Sequence, residues 1–431
     1  MVKGSLSVPP DKAICHRAVL AGALAEGTTR IQPWPDAEDC QRTLDVVKGL
    51  GVASSLRGAS LILEGKGWQA LQAPKADLFC GESGTTLRLA AGMLAGQPFS
   101  SRLGAAPSLA RRPMRRIVTP LQAMGARITG SGAAGDESLP PLAIEGRRPL
   151  KALHYTLPVA SAQVKSAILF AALAADGPST VVELHPTRDH TERMLAAFGA
   201  DVQRKPDGIR IEPSALRSPG EIRIPGDSSS AAFFVVAGLL IPGSEILLEG
   251  VGLNPTRIAF LRILERMGGR IHLAVESSGV EPYGQILVRS QPLQPLTLKP
   301  TEVPGVIDEL PILMVACACA SGTSELWGLS ELRFKETDRI ASMVAGLRKM
   351  GVSITEPEHD AVRIEGGGLT GALVDSADDH RTAMSLAVAG LAAKGTTRIA
   401  GAECVRKSYP GFFLDLARLA PPGAVRLPES D

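Results

Sequence analysis

Along the chain, apolar residues at helical spacing run repeatedly into a glycine, a few small polar residues and then a β-prone run. The phrase reads Leu24-Ala-Glu-Gly27-Thr-Thr-Arg-Ile31 and, more loosely, Leu94-Ala-Gly96-Gln-Pro-Phe-Ser-Ser-Arg-Leu103. It returns as Leu173-Ala-Ala-Asp-Gly177-Pro-Ser-Thr-Val181, Leu240-Ile-Pro-Gly243-Ser-Glu-Ile-Leu247, Ala320-Ser-Gly322-Thr-Ser-Glu-Leu326 and Ala392-Ala-Lys-Gly395-Thr-Thr-Arg-Ile399. A second phrase interleaves with it: Val47-Lys-Gly-Leu-Gly51, Leu121-Gln-Ala-Met-Gly125, Leu195-Ala-Ala-Phe-Gly199, Leu264-Glu-Arg-Met-Gly268 and Leu347-Arg-Lys-Met-Gly351. Glycine stops a helix by adopting the left-handed conformation, so both phrases predict helix, glycine, strand. The repeat of roughly 70–80 residues is longer than a solenoid period. Each unit therefore has room for two helices and several strands, and the pattern predicts a mixed α/β fold of six βαβαββ units, three in each of two domains.

The two longest apolar runs, Ala231 to Ile241 and Leu310 to Ala320, fall short of the roughly 20 residues a membrane span needs, and both predict buried helices. Met1-Val-Lys-Gly-Ser-Leu-Ser has no apolar core of a signal peptide, so a cytoplasmic location is expected. The 431 residues exceed one ordinary core, and 45% apolar with 21% charged residues is a globular balance. A net charge of +2 and 4% aromatics argue against a nucleic-acid surface. The six cysteines show no CxxC pair and no zinc spacing, which predicts buried free thiols and no metal site.

Candidate chemistry lies at the helix starts. Pro10-Asp-Lys-Ala, Gly81-Glu-Ser-Gly-Thr-Thr, Ala160-Ser-Ala-Gln, Gly226-Asp-Ser-Ser-Ser and Asp378-Asp-His-Arg each offer a capping side chain with free backbone N–H groups behind it. Most carry cations nearby: Lys12 and Arg17, Arg88, Arg111 and Arg112, Lys165 and Arg188, Arg381, Lys407. The densest charge run is Glu331-Leu-Arg-Phe-Lys-Glu-Thr-Asp-Arg339, where a helix capped by Thr337 or Asp338 would gather Lys335, Glu336 and Arg339 at its electropositive end. Carboxyls at Asp308, Glu336 and Asp379 sit among these cations. So many cations predict ligands with several negative charges, and a carboxyl beside them can exchange protons.

Ten segments along the chain resemble, in order, the motifs of the 5-enolpyruvylshikimate-3-phosphate (EPSP) synthase family. They include Pro10-Asp-Lys-Ala-Ile-Cys-His-Arg17, Gly81-Glu-Ser-Gly-Thr-Thr-Leu-Arg88, Arg112-Pro-Met, Leu157-Pro-Val-Ala-Ser-Ala-Gln-Val-Lys-Ser166 and Arg188-Asp-His-Thr-Glu192. Pro225-Gly-Asp-Ser-Ser-Ser-Ala-Ala232, Asn254-Pro-Thr-Arg257, Leu332-Arg-Phe-Lys-Glu-Thr-Asp-Arg339 and Asp379-His-Arg381 continue the match, and Ser408-Tyr-Pro410 follows. The resemblance implies an inside-out α/β barrel of two domains that close on their substrates. Residues 11–225 would form one domain, and 1–10 with 226–431 the other.

It also implies transfer of an enolpyruvyl group from phosphoenolpyruvate to the 5-hydroxyl of shikimate 3-phosphate, in the shikimate pathway to aromatic amino acids, with no cofactor or metal. The partners implied are these two small molecules, with no nucleic acid or membrane, and a monomer is expected. By position, Lys12, Ala13, Arg17, Ser161, Ala162, Gln163, Arg188, Asp308 and Lys335 would meet shikimate 3-phosphate. Lys12, Gly84, Arg112, Gln163, Arg339, Arg381 and Lys407 would hold phosphoenolpyruvate. Asp308 and Glu336 would carry protons, assisted by Lys12 and Lys407.

Some positions depart from the family pattern. Pro10, Ala13 and Cys15 replace a glycine and two serines, and Glu82-Ser83 replaces Asn-Ala. Ala13 lacks a hydroxyl that in the family contacts the acceptor, which leaves room for a different acceptor. Gly84 stands where members sensitive to glyphosate carry glycine. The enolpyruvyl transferase acting on UDP-N-acetylglucosamine is the nearest alternative, but its reactive cysteine is absent from Ala105-Ala-Pro-Ser-Leu-Ala-Arg-Arg112-Pro. An inactive anion-binding paralogue would lack a proton carrier, and none is missing. RNA 3'-phosphate cyclases, built of related units, would need a nucleotide-accepting histidine and a broad basic face.

Overall fold

The computed structural model describes residues 1–132 and 138–426, so residues 427–431 of the expected second domain lie outside the described residues. The chain divides into two compact units, Pro10–Ile224 and Met1–Pro9 with Pro225–Asp431, each with its own buried apolar core.

In the Pro10–Ile224 unit the helices are α1 (Lys12–Leu24), α2 (Glu38–Gly49), α3 (Gly84–Ala95), α4 (Pro107–Ala110), α5 (Arg115–Ala123), α6 (Ala162–Ala172) and α7 (His190–Ala197). Three four-stranded sheets accompany them. In the second, Leu78–Phe79 pairs in parallel with Ser100–Gly104, which pairs antiparallel with Leu139–Glu145 and that with Arg127–Ser131. The third repeats this with His154–Thr156, Ser179–Val182, Gly208–Ile211 and Val202–Lys205. A parallel pair needs a crossover, and α3 and α6 supply it; the antiparallel pair closes as a hairpin.

The first sheet takes its outer strand from the far end of the unit. Glu221–Arg223 pairs in parallel with Glu26–Gln32, Ile222 opposite Ile31. The other unit does the same with the start of the chain, where Lys3–Leu6 pairs in parallel with Glu245–Gly252, Ser5 opposite Leu247. Those ladder bonds are why the first residues belong with the chain after Pro225.

The remaining helices are α8 (Ser228–Leu240), α9 (Ala259–Arg266), α10 (Val303–Val306), α11 (Leu310–Cys319), α12 (Arg339–Lys349), α13 (His380–Ala392) and α14 (Phe412–Leu419). The two long apolar runs are α8 and α11, buried along nearly their whole length. The sixth repeat keeps only Leu373–Asp375, α13 and Arg398–Ala400 among the described residues. After it the chain turns to α14, whose Phe412 stacks edge-on against Phe233 and tilts against Phe234 of α8. Aromatic packing on α8 therefore follows where the other repeats have a hairpin.

The first helix of each repeat is buried on almost every side, whereas the second keeps an exposed face, as α5 and α9 do. Strands such as Leu139–Glu145 alternate between exposed and buried positions, so each sheet lays one face on the helices and the other in water. Close helix contact demands small residues: a methyl on Gly92 of α3 would stand 2.1 Å from the Ala167 carbonyl oxygen of α6. The five glycines of the second phrase all have φ between +86° and +100° and end helices as predicted. Those of the first phrase differ. After α1 the helix ends at Leu24, and Gly27 already lies in a strand, paired with Gly65.

Candidate active site

In the Pro10–Ile224 unit, the buried helices begin with capped first turns. Asp11 caps α1, accepting from the Ala13 and Ile14 amides at 2.7 and 3.3 Å. Lys12 is thus the first helical residue, and its Nζ meets Asp39 Oδ2 of α2 at 2.9 Å. Ser83 caps α3 and Ser161 caps α6, accepting from the Thr86 and Val164 amides. Their first residues are Gly84 and Ala162, with Gln163 next on α6.

Hydrogen bonds join these helix starts. Gln163 donates from Nε2 to Thr85 Oγ1 at 2.9 Å and accepts from Arg88 Nη1 at 2.7 Å. A methyl on Gly84 would stand 2.8 Å from Arg88 Nη1 and 3.4 Å from Arg112 Nη1, so both guanidinium groups border the start of α3. Arg17, buried one turn into α1, donates to the Ala13 carbonyl, to Thr191 Oγ1 of α7 and to Ser166 Oγ of α6 at 2.6, 2.6 and 2.9 Å. Arg188 lies half-buried just ahead of α7. Thr187 beside it is held by Glu183, which also takes an ion pair at 3.0 Å from the fully buried Lys165.

The other unit holds the densest charge. Arg339, 1% exposed, opens α12 behind the capping Asp338. Its Nε donates to Asp379 Oδ2 at 2.7 Å, Nη2 to Glu336 Oε2 at 2.6 Å and Nη1 to Asp308 Oδ1 at 3.3 Å. Burial alone would lower the pKa of the guanidinium, but the carboxylates of Glu336, Asp379 and Asp308 outweigh it and push its pKa above the ordinary arginine value. Asp308 also faces Lys335 Nζ at 3.7 Å and Arg381 Nη2 at 3.9 Å, and its carbonyl accepts from Arg381 Nη1 at 3.0 Å. Asp379 serves a second purpose, capping α13 through the Arg381 and Thr382 amides. Lys407, at the end of the turn Ala402–Lys407, pairs with Asp378 Oδ2 at 2.8 Å.

Asp308, Lys335, Glu336, Arg339 and Arg381 therefore form one group, with Lys407 joined to Asp378 next to Asp379 in sequence. Lys12, Ala13, Gly84, Arg112, Ser161, Ala162, Gln163, Arg17 and Arg188 occupy or adjoin helix starts of the Pro10–Ile224 unit. Thr337 does not cap α12; Asp338 does. Glu82 is exposed. Sequence reading missed Asp39 and Asp378 as partners of Lys12 and Lys407, and Thr191 as the anchor of Arg17. Only the Asp-His-Thr-Glu motif signalled Thr191, and Asp39 lies in an unremarkable acidic helix start.

Among the described residues no helix is long and apolar enough to cross a membrane, and no group of three or more His, Cys, Asp or Glu could hold a metal. Five cysteines are buried and Cys319 is partly so, all as free thiols.

The family model described as EPSP synthase (3-phosphoshikimate 1-carboxyvinyltransferase) matches residues 1–416. The 3-phosphoshikimate 1-carboxyvinyltransferase of Geotalea uraniireducens is 45% identical over 423 residues, 98% of this chain and 97% of the relative. That of Halorhodospira halophila is 47% identical over 419 residues, 96% and 93% of the two chains. The structure of EPSP synthase from Acinetobacter baumannii superposes with a TM-score of 0.86 at 41% identity, covering 97% of this chain and 95% of that one. The enolpyruvyl transferase NikO from Streptomyces tendae, 17% identical with a TM-score of 0.76 over 97% and 95%, shares the fold. Six α/β repeats, capped helix starts lined with cations and a match along nearly the whole chain lead to one assignment: the chain belongs to the EPSP synthase family.

Proposed function

We propose that this chain transfers the enolpyruvyl group of phosphoenolpyruvate to the 5-hydroxyl of shikimate 3-phosphate and releases inorganic phosphate. The observation that carries the reading is the family match over residues 1–416. The Arg339 group adds chemical support, because it sets Asp308 and Glu336 beside permanent positive charge.

Both substrates are polyanions, and the residues available to them are cations and helix N-termini, whose free amides and dipoles favour negative charge. Phosphoenolpyruvate is assigned to Lys12, Gly84, Arg112, Gln163, Arg339, Arg381 and Lys407. Shikimate 3-phosphate is assigned to Lys12, Ala13, Arg17, Ser161, Ala162, Gln163, Arg188, Asp308 and Lys335. Arg17 spends its donors on Ala13, Ser166 and Thr191, which fixes the guanidinium plane before any ligand arrives.

In the addition step the acceptor oxygen bonds to C2 of phosphoenolpyruvate, the hydroxyl proton leaves, and the methylene C3 gains a proton. The tetrahedral adduct then loses a C3 proton while the C2–O bond to phosphate breaks. One group must take the hydroxyl proton and another must give and retake the C3 proton. Asp308 and Glu336 are assigned these two transfers, with Lys12 and Lys407 assisting. Arg339, bonded to both carboxyls, holds them in place and balances their changing charge.

A phosphate-release assay with phosphoenolpyruvate and shikimate 3-phosphate tests the reading, with UDP-N-acetylglucosamine as the control acceptor. Release that requires shikimate 3-phosphate is expected; release only with the nucleotide sugar, or none with either, refutes it. The same reading makes the chain a cytoplasmic monomer.

A further inference from the structure

Behind the start of α3 runs a chain of buried hydroxyls. His16 Nδ1 lies 2.6 Å from Thr43 Oγ1, Thr43 Oγ1 lies 2.7 Å from Thr86 Oγ1, and Thr86 Oγ1 lies 2.8 Å from Ser83 Oγ. All four side chains are buried. The chain crosses three helices, from α1 through α2 to the cap of α3, where Gly84 and the guanidinium groups of Arg88 and Arg112 meet.

The direction of the bonds follows from counting protons. At the Thr86–Ser83 pair the geometry makes Thr86 the donor. A longer contact from Thr86 Oγ1 to the Asp39 carbonyl, at 3.3 Å, shares the same proton. A threonine hydroxyl has one proton, so Thr86 cannot also donate to Thr43, and Thr43 must donate to Thr86. Thr43 then has only lone pairs for His16, which must carry its proton on Nδ1. His16 is neutral, because burial drives its pKa down to about 3, with Asp39 opposing and Lys12 and Arg17 adding to the shift. The bare Nε2 at the far end is buried and has no hydrogen-bond partner among the described residues. An orphaned lone pair there is more tolerable than an orphaned N–H, which favours the same tautomer.

At the near end Ser83 Oγ accepts twice, from the Thr86 amide at 3.2 Å and from the Thr86 hydroxyl. Its own proton has no acceptor among the described residues, although Ser83 is 2% exposed. A buried donor without an acceptor costs stability unless something occupies it.

We propose that Ser83 is a further phosphoenolpyruvate-binding residue, its hydroxyl proton reserved for an anionic oxygen of that ligand by the one-way chain His16–Thr43–Thr86. The proposal rests on the functional reading above. Ser83 donates to the ligand; His16, Thr43 and Thr86 are positioning residues that keep the Ser83 proton from turning inward. The neighbouring guanidinium groups supply charge, while the serine supplies a directed bond.

The test is steady-state kinetics of wild type, Ser83→Ala, Thr43→Val, the double variant and Thr43→Ser. KM is read because partial misfolding lowers the active fraction without changing it. Ser83→Ala should raise KM for phosphoenolpyruvate about tenfold, the effect of one hydrogen bond to a charged group, and leave KM for shikimate 3-phosphate unchanged. Thr43→Val should raise the same KM by a smaller factor, Thr43→Ser should restore it, and the double variant should match Ser83→Ala. Wild-type enzyme without phosphate release overturns the functional reading and this assignment together. With turnover present, an unchanged KM in Ser83→Ala, or multiplying effects in the double variant, overturns the relay alone.

Discussion

Gly84→Ala should weaken phosphoenolpyruvate binding while changing stability by no more than about 1 kcal/mol, because a gain in the helix and a stretched hydrogen bond oppose each other. Gly84 is the first residue of α3 and its φ is not positive, so the backbone accepts alanine without strain. Replacing glycine by alanine in a helix gains up to about 1 kcal/mol, less at an end position. The new methyl would stand 2.8 Å from Arg88 Nη1, about 0.7 Å or more short of the optimal separation. Arg88 can retreat, but its Nη1 holds Gln163 Oε1 at 2.7 Å. The retreat stretches a charge-assisted bond whose full value is about 1.5–3 kcal/mol. Losing about half of it, roughly 0.8–1.5 kcal/mol, loosens Gln163, a residue assigned to phosphoenolpyruvate, and should weaken that ligand by roughly four- to tenfold. Arg112 Nη1 at 3.4 Å is crowded less. Glyphosate, longer than phosphoenolpyruvate and taken from the family resemblance to share its site, should lose more affinity than the substrate does. Initial rates give KM and the glyphosate inhibition constant, and thermal melts give stability. A KM for phosphoenolpyruvate within twofold of wild type would refute the coupling through Arg88. Glu82→Asn, on an exposed side chain, should change the inhibition constant less than about twofold.

Asp308→Asn and Glu336→Gln should each cut phosphate release by about 10²-fold or more, and near-normal turnover in either removes that residue from proton transfer. His16 gives a pH dependence of stability whose sign follows from its neutral buried form. Its folded pKa of about 3 lies below the ordinary histidine value of 6.5, so the unfolded chain binds the extra proton. Stability is full above pH 6.5 and falls as the pH drops from there toward 3, by about 2 kcal/mol at pH 5. Denaturant unfolding at pH 8 and pH 5 should show this loss in wild type and a smaller one in His16→Gln; equal losses would count against a buried neutral histidine.

The repeat was legible because each of its parts has a local cause. Gly51, Gly125, Gly199, Gly268 and Gly351 announce helix ends, since the left-handed turn there favours a residue without Cβ. Asp11, Ser83, Ser161, Asp227 and Asp379 announce helix starts for the same local reason, and each accepts amide protons as its residue type predicts. What a sequence does not announce is the partner that comes from another element. Lys12 reads as a cation awaiting an anion, yet Asp39, 27 residues on, already holds it. Arg339 reads as a phosphate ligand, yet three of its five N–H donors are committed to Glu336, Asp308 and Asp379, two of them 31 and 40 residues away. These partners change the chemistry rather than decorate it. An arginine with every donor free would bind a ligand at full strength, whereas Arg339 divides its donors between the carboxyls it holds and the ligand proposed for it. The sixth repeat shows the other kind of gap. Its glycine phrase at Gly395 is intact, but whether a hairpin follows depends on what lies opposite, and there Phe412 packs on Phe233 and Phe234. Local signals thus locate the capped helix starts, and long-range pairing decides which of the gathered charges are spent on structure and which remain for a ligand.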